Sequence, residues 1–194
     1  MEEQVRRGPP EYFEIIAVKP HMTDVIDGVA EIALLLRPEN GVDSPLTERD
    51  KRLGVLVSEF AATDYRDFAA KYQNFYAVRE KKTGKIVAFR WLYGPADAAD
   101  ERDAGTKLIR ELFGAVYVGK QIGVHPDYQD FGLGTAIVNY TSDTLRADVY
   151  NVALRENGGS SKFHRKLGYE PLHTFESKGY ERTIFVKRWR PDTN

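Results

Sequence analysis

The stretch VHPDYQDFGLGT, residues 124–135, constrains the fold more than any other part of this chain. A strand-like segment runs into it, and the helical pattern that begins with Ala136-Ile-Val138 leaves it at once. Gly132 and Gly134 stand at the junction, although glycine costs about 1 kcal/mol relative to alanine inside a helix. Something there needs bare backbone. A strand end, a glycine turn and an immediate helix gather several backbone N–H groups and the positive end of a helix at one point, which suits a phosphate or pyrophosphate. Taken alone, the G-x-G pair more often marks only a tight turn. Two other phosphate loops are excluded by their missing parts. The P-loop pattern G-x-x-x-x-G-K-[ST] is absent, and a Rossmann fingerprint needs three glycines after the first strand of a βαβ unit, whereas this turn has two and sits late in the chain.

The remaining sequence supplies elements around that turn. Residues 1–10 read as a loose arm, and Tyr12 to Val18 as a first strand that stops at Pro20. From Thr23 or Asp24, apolar residues recur at Val25, Ile26, Val29, Ile32, Ala33 and Leu36, the spacing of a helix, until Pro38 and Gly41. Ser44-Pro-Leu-Thr47 opens a second polar-capped segment; Leu53, Leu56, Val57 and Phe60 continue at helical spacing, and Tyr65 to Tyr72 adds a turn or two. Strands over 74–79 and 86–93 flank the turn chemistry of Lys82-Thr-Gly-Lys85 as a hairpin. Residues 94–113 read as an insertion between strands, with a short helix over Thr106 to Phe113. A strand over 115–124 holds Gly119 and Gly123, which marks a bulge or a close backbone approach. Then follow a helix from Thr135 to Asp148, a strand from Val149 to Leu154, a helix from Ser160 to Leu167 capped by Gly168, and a last hairpin of Leu172 to Glu176 with Tyr180 to Lys187. There is no internal repeat.

At 194 residues, one domain is expected over 1–194. Lys and Arg total 28 against 29 Asp and Glu, a net charge of -1, so no general field draws a nucleic acid, and the basic Lys187-Arg-Trp-Arg190 reads as a solvated strand end. The absence of cysteine excludes disulfides, thiolate metal sites and a cysteine acyl-enzyme. His21 and His173 lack partners at metal spacing and His125 precedes Pro126 in a turn, so no metal site is expected. Trp91 and Tyr93 fit strand packing better than a substrate box. No apolar run approaches the roughly 20 residues of a membrane span, and the chain is expected to be cytoplasmic.

Gln129-Asp-Phe-Gly-Leu-Gly134 matches [QR]-x-x-G-x-[GA], and in this it resembles the GNAT superfamily of N-acetyltransferases. Ile122-Gly-Val-His-Pro-Asp-Tyr128 is similar to the strand and turn that precede the signature there. Asn157, Ser160 and Phe163-His-Arg-Lys-Leu-Gly-Tyr169 resemble the family's second block. The resemblance implies an α/β (α+β) fold, a mixed and mostly antiparallel sheet flanked by helices and split by a V between its fourth and fifth strands, with acetyl-CoA in the split. It implies cofactor contacts from Ile122, Gly123, Val124, Gln129, Asp130, Phe131, Gly132, Leu133, Gly134, Thr135, Asn157 and Ser160. The backbone of Ile122 and Val124 would pair with the pantetheine arm, and the Ile122 N–H would polarise the thioester carbonyl in an oxyanion-hole role.

The sequence also departs from the family. The base position on the fourth strand falls on Lys120 or Val118, and Glu156 is the remaining carboxylate candidate, so the base is unassigned. His164 stands where the family usually has a tyrosine acid; it is read either as the general acid or as a helix histidine that only contacts CoA. Asp130 puts a carboxylate where small or basic residues are common and is expected to point outward. The implied function is transfer of acetyl directly to a primary amine; the alternative is a CoA-binding sensor or pseudoenzyme. The acceptor would meet residues 37–72, 94–113 and 176–180, where Glu59, Phe60, Asp64, Tyr65, Asp67 and Phe68 suit a small cationic amine or simply form an amphipathic helix. A longer acyl donor, a peptide N-terminus or a lysine acceptor is equally compatible, and the resemblance allows a homodimer.

Overall fold

The segment IVAFRWLY, Ile86 to Tyr93, is buried at every position, as expected of a central strand covered on both faces. The computed structural model describes residues 11–41, 44–53, 56, 60–98, 103–154, 158–177 and 179–190. In chain order the elements are β1 (Phe13–Ala17), α1 (Thr23–Leu35), α2 (Glu48–Leu53), α3 (Ala62–Lys71), β2 (Asn74–Glu80), β3 (Ile86–Tyr93), α4 (Ala104–Phe113), β4 (Tyr117–Val124), α5 (Leu133–Leu145), β5 (Val149–Leu154), α6 (Gly158–Lys166), β6 (Glu170–Ser177) and β7 (Tyr180–Lys187). The strands form one seven-stranded sheet in the order β1-β2-β3-β4-β5-β7-β6. Every neighbouring pair is antiparallel except β4 with β5, which run parallel.

Helices cover both faces. On one, Ile26, Val29 and Ile32 of α1 and Tyr65 of α3 pack with Phe75, Phe89 and Trp91; on the other, Leu133 and Ile137 of α5 pack with Val78, Val87 and Leu92. Each such side chain, fully buried, contributes roughly 1.5–3 kcal/mol. Trp91 lies nearly parallel to Phe68 at 4.5 Å and to Tyr72 at 5.6 Å, and its Nε1–H donates to Gln121 Oε1, as does the Tyr65 hydroxyl. These aromatics build the core. Tyr65 is fully buried and Phe60 packs edge-on to Phe68 at 4.9 Å, so these rings belong to the core cluster rather than to an acceptor box. Glu59 lies outside the described residues.

The helical spacing read across Leu53, Leu56 and Phe60 does not continue as a helix: α2 ends at Leu53, and Leu56 and Phe60 are not helical. Both are held by packing against the α1–α3 core instead, with the Leu56 N–H donating to the Leu36 carbonyl at 2.8 Å. Helix α5 also stops earlier than its apolar pattern suggested, because Arg146 takes a left-handed conformation at φ 49° and caps it. Asp148 is then free to accept from Arg188 at 2.7 Å and from the Trp189 N–H at 2.9 Å. Among the described residues no helix is long and apolar enough to cross a membrane, and no group of three His, Asp or Glu could hold a metal ion.

The segment read as an insertion holds a helix, as expected, which begins at Ala104 rather than Thr106. Asp103 caps α4 by accepting from the Thr106 N–H at 3.1 Å and hydroxyl at 2.8 Å. Ile109 is fully buried, and Phe113 stacks on Tyr150 at 4.8 Å. A Cβ on Gly105 would come within 3.0 Å of Val152, so the start of α4 lies directly on β5.

Candidate functional site

Two strands that begin as neighbours separate here. β4 and β5 pair only through Tyr117 with Val149, Val118 with Tyr150 and Gly119 with Asn151. Beyond that point β4 stays with β3 as far as Val124, and β5 stays with β7 as far as Leu154. The backbone of β4 from Lys120 to Val124 therefore has no ladder partner on its β5 side among the described residues. Such a free strand edge accepts an extended ligand as an added strand. Ile122, Gly123 and Val124 lie on it.

The turn after β4 leads from this free edge directly into α5. His125 has its Nδ1 bonded by the Asp127 N–H at 3.2 Å and serves the short turn over Pro126–Tyr128, in line with the loop role read for it. Gln129 is extended, Asp130 has φ 69° and Gly132 has φ 76°, and Gly132 caps α5 in the left-handed region. Asp130 is exposed, as expected. The first helical bond of α5 runs from the Ala136 N–H to the Gly132 carbonyl at 2.9 Å. The N–H groups of Leu133, Gly134 and Thr135 thus have no partner within the helix and stand at its positive end.

The two glycines serve different needs. Gly132 is exposed and supplies the left-handed turn, whereas a Cβ on buried Gly134 would stand 3.0 Å from the Phe163 ring. Gly134 lets α5 and α6 pack closely, and this packing brings the first turn of α5 beside the split. Phe131, 57% exposed, closes the outer side of the loop edge-on to Phe13 at 6.5 Å.

His164 projects from α6 into the interior, only 4% exposed. Its Nδ1 faces the Ser160 carbonyl at 2.7 Å and so must carry the proton; Nε2 then accepts from the Asn151 amide at 2.9 Å. The ring stacks on Phe185 at 5.2 Å. Burial pushes this imidazole down to about 4, the charge of Arg90 adding to the effect and the Ser160 carbonyl opposing it. A neutral ring with both nitrogens engaged does not fit a proton donor aimed into the split.

The base position is altered as well. Val118 is buried, and Lys120 occupies a bulge in the β3–β4 pairing. Its ammonium pairs with Asp103 at the start of α4, bonds the Thr106 hydroxyl at 3.3 Å and lies over the Tyr93 ring at 5.5 Å. Burial pushes the Asp103 carboxyl up, but Lys120 and the Thr106 hydrogen bonds outweigh it and hold the group below its ordinary value. Asn157 and Glu156 lie outside the described residues, while Ser160 contributes its carbonyl to His164.

Three participants were not foreseen from the sequence. Arg90, Asn151 and Asp103 meet the split or its rim only through the fold. Of these, Arg90 had a legible signal, since it is the one charge in the otherwise uncharged, mostly apolar strand β3.

A sequence model of the acetyltransferase (GNAT) family matches residues 45–169. No curated protein sequence matches the chain. Among solved structures, Ard1 from Thermoplasma volcanium superimposes with a TM-score of 0.63 over 93% of this chain and 99% of that one, at 13% identity. The ribosomal-protein-S18-alanine N-acetyltransferase from Escherichia coli gives 0.59 over 94% and 98%, at 14% identity. NAA60 from Arabidopsis thaliana, in complex with a bisubstrate analogue, gives 0.59 over 91% and 97%, at 10% identity. At these identities the likeness is one of fold.

Proposed function

The chain belongs to the acetyltransferase (GNAT) family, and from that premise we propose that it moves the acetyl group of acetyl-CoA directly to an amine. One observation carries the reading. The β4–β5 ladder ends at Gly119 and Asn151, and the first turn of α5, whose N–H groups have no partner within the helix, packs beside the end of β4, where a Cβ on Gly134 would stand 3.5 Å from Val124. The free edge at Ile122, Gly123 and Val124 would hold the pantetheine arm, with the Ile122 N–H on the thioester carbonyl. Gln129, Asp130, Phe131, Gly132, Leu133, Gly134 and Thr135 would surround the pyrophosphate. Asn157 and Ser160 would complete the cofactor contacts. Acetyl-CoA, when bound, supplies the activated thioester, and the absence of cysteine supports transfer without an acyl-enzyme.

The Asp103–Lys120 pair ties the start of α4 to β4, and in this reading it borders the place where the acceptor would enter. His164 is carried in this reading as a packing and positioning residue beneath the split, not as the acid. Its neutral, buried state and the loss of a free carboxylate at 118 and 120 favour a second reading, a sensor that binds CoA without turnover.

A panel of small amines, amino acids, lysine peptides and peptide N-termini, assayed for free CoA and for the acetylated product, separates the two. Acetylation of one acceptor class well above CoA hydrolysis supports the enzyme. Tight acetyl-CoA binding with no product on any acceptor supports the sensor.

A further inference from the structure

Arg90 is 1% exposed and makes no ion pair among the described residues. Its guanidinium donates to the Thr141 hydroxyl at 2.5 Å, the Tyr169 hydroxyl at 3.0 Å and the Val138 carbonyl at 3.5 Å, all neutral acceptors. Burying a full charge without a counter-charge is costly, and structures keep such a charge where it meets another.

Its position says where that charge acts. Arg90 is the cross-strand partner of Ile122 and shares its face of the sheet. Its Nη2 lies 3.5 Å from where a Cβ on Gly119 would stand, and Gly119 is the last residue of β4 to pair with β5. The Asn151 Oδ1 atom occupies the place that Cβ would take and has no hydrogen-bond partner among the described residues. The guanidinium is therefore immediately beneath the apex of the split, beside a buried polar atom left unsatisfied. A second cation stands nearby on the same side: Lys187 donates to Asn139 Oδ1 at 3.2 Å and to the Leu167 carbonyl at 3.1 Å, again neutral groups. Among the described residues Tyr169, Tyr76 and His164 also face Arg90; burial pushes the Tyr76 hydroxyl up and the His164 imidazole down, which keeps both neutral. Asp143 offsets part of the Lys187 charge, while the Arg90 guanidinium itself forms no ion pair among the described residues.

We infer that Arg90 stabilises the negative charge that develops on the sulfur of the acyl donor at the apex of the split, so that the thiolate departs without a proton donor. The inference rests on the acetyl-transfer reading. In the balanced step the amine nitrogen forms the new C–N bond, the C–S bond breaks with its electron pair passing to sulfur, and the amine's proton goes to solvent. The thiolate takes its proton from solvent after release. Arg90 acts through its field in a site of low dielectric and is not itself a contacting, catalytic group.

The test titrates the thiol of CoA bound to the full-length protein, followed by thiolate absorbance against the desulfo-CoA complex to cancel the tyrosines. In the wild type the bound thiol should ionise at lower pH than free CoA, with about tenfold more thiolate at a given pH. Arg90→Met should abolish this gain, Arg90→Lys should retain most of it, and Tyr169→Phe, which removes a hydrogen bond but not the charge, should leave it intact. A wild-type thiol that titrates like free CoA overturns the inference even if Arg90→Met does not fold. So does equal loss in Arg90→Met and Tyr169→Phe, which would mark the network as structural. Failure of CoA to bind at all overturns the acetyl-transfer reading together with the inference.

Discussion

The charge of His164 is set by what surrounds it rather than by the motif it belongs to. Its place in the family's second block allowed an acid, but the ring donates from Nδ1 to the Ser160 carbonyl, accepts from the Asn151 amide and is held near 4 by burial. Because this folded value lies below the unfolded one, the unfolded chain takes up the proton first as pH falls. The stability that depends on a neutral ring is complete above about pH 6.5 and is lost by about 1.4 kcal/mol per unit down to about pH 4. Urea unfolding at about pH 7 and about pH 5 should therefore show wild type losing about 2 kcal/mol more than His164→Phe, whose baseline is lower but whose ring does not titrate. Equal losses would place the imidazole in water. Residue types and their spacing were legible in the sequence here, and so was the lone Arg90 in an apolar strand. Hydrogen-bond partners contributed by β5 and α5 were not, because they come from segments far away in the chain.

Among the elements, strands followed local chemistry closely, as β5 over Val149–Leu154 and β7 over Tyr180–Lys187 show. The exceptions arise where tertiary packing replaces a periodic face, as at Leu56 and Phe60. Helix α4 was legible as a short helix inside an insertion, but its purpose was not. Its N-cap Asp103 also neutralises Lys120, in the position where a base was sought. Asp103→Ala should cost about 1 kcal/mol for the cap and a further ~1–2 kcal/mol for a half-buried ammonium left alone. Thermal melts should drop by roughly 4–10 °C, and Asp103→Asn, which can still cap, should recover part of the loss. If Asp103→Ala melts with the wild type, the pair contributes nothing to seating α4.

At the scale of the whole molecule, one sheet holds a free strand edge, a helix start and a buried cation around a single opening. Periodicity identified the strands but gave no order for them; the split followed only from the resemblance carried by residues 122–169, where the turn and the α6 block stand at family spacing. The claim that this opening receives acetyl-CoA is tested most directly by calorimetric titration of acetyl-CoA into the purified protein and into Gly132→Glu. That variant adds a carboxylate at an exposed turn with no heavy atom within 4 Å of its Cβ, and because the left-handed φ of 76° strains any side chain there, Gly132→Ala carries the strain without the charge as its control. One-to-one binding by the wild type, weakened about tenfold or more in Gly132→Glu while the fold is retained, is the predicted result. No binding by the wild type, or binding that Gly132→Glu leaves unchanged, would contradict it.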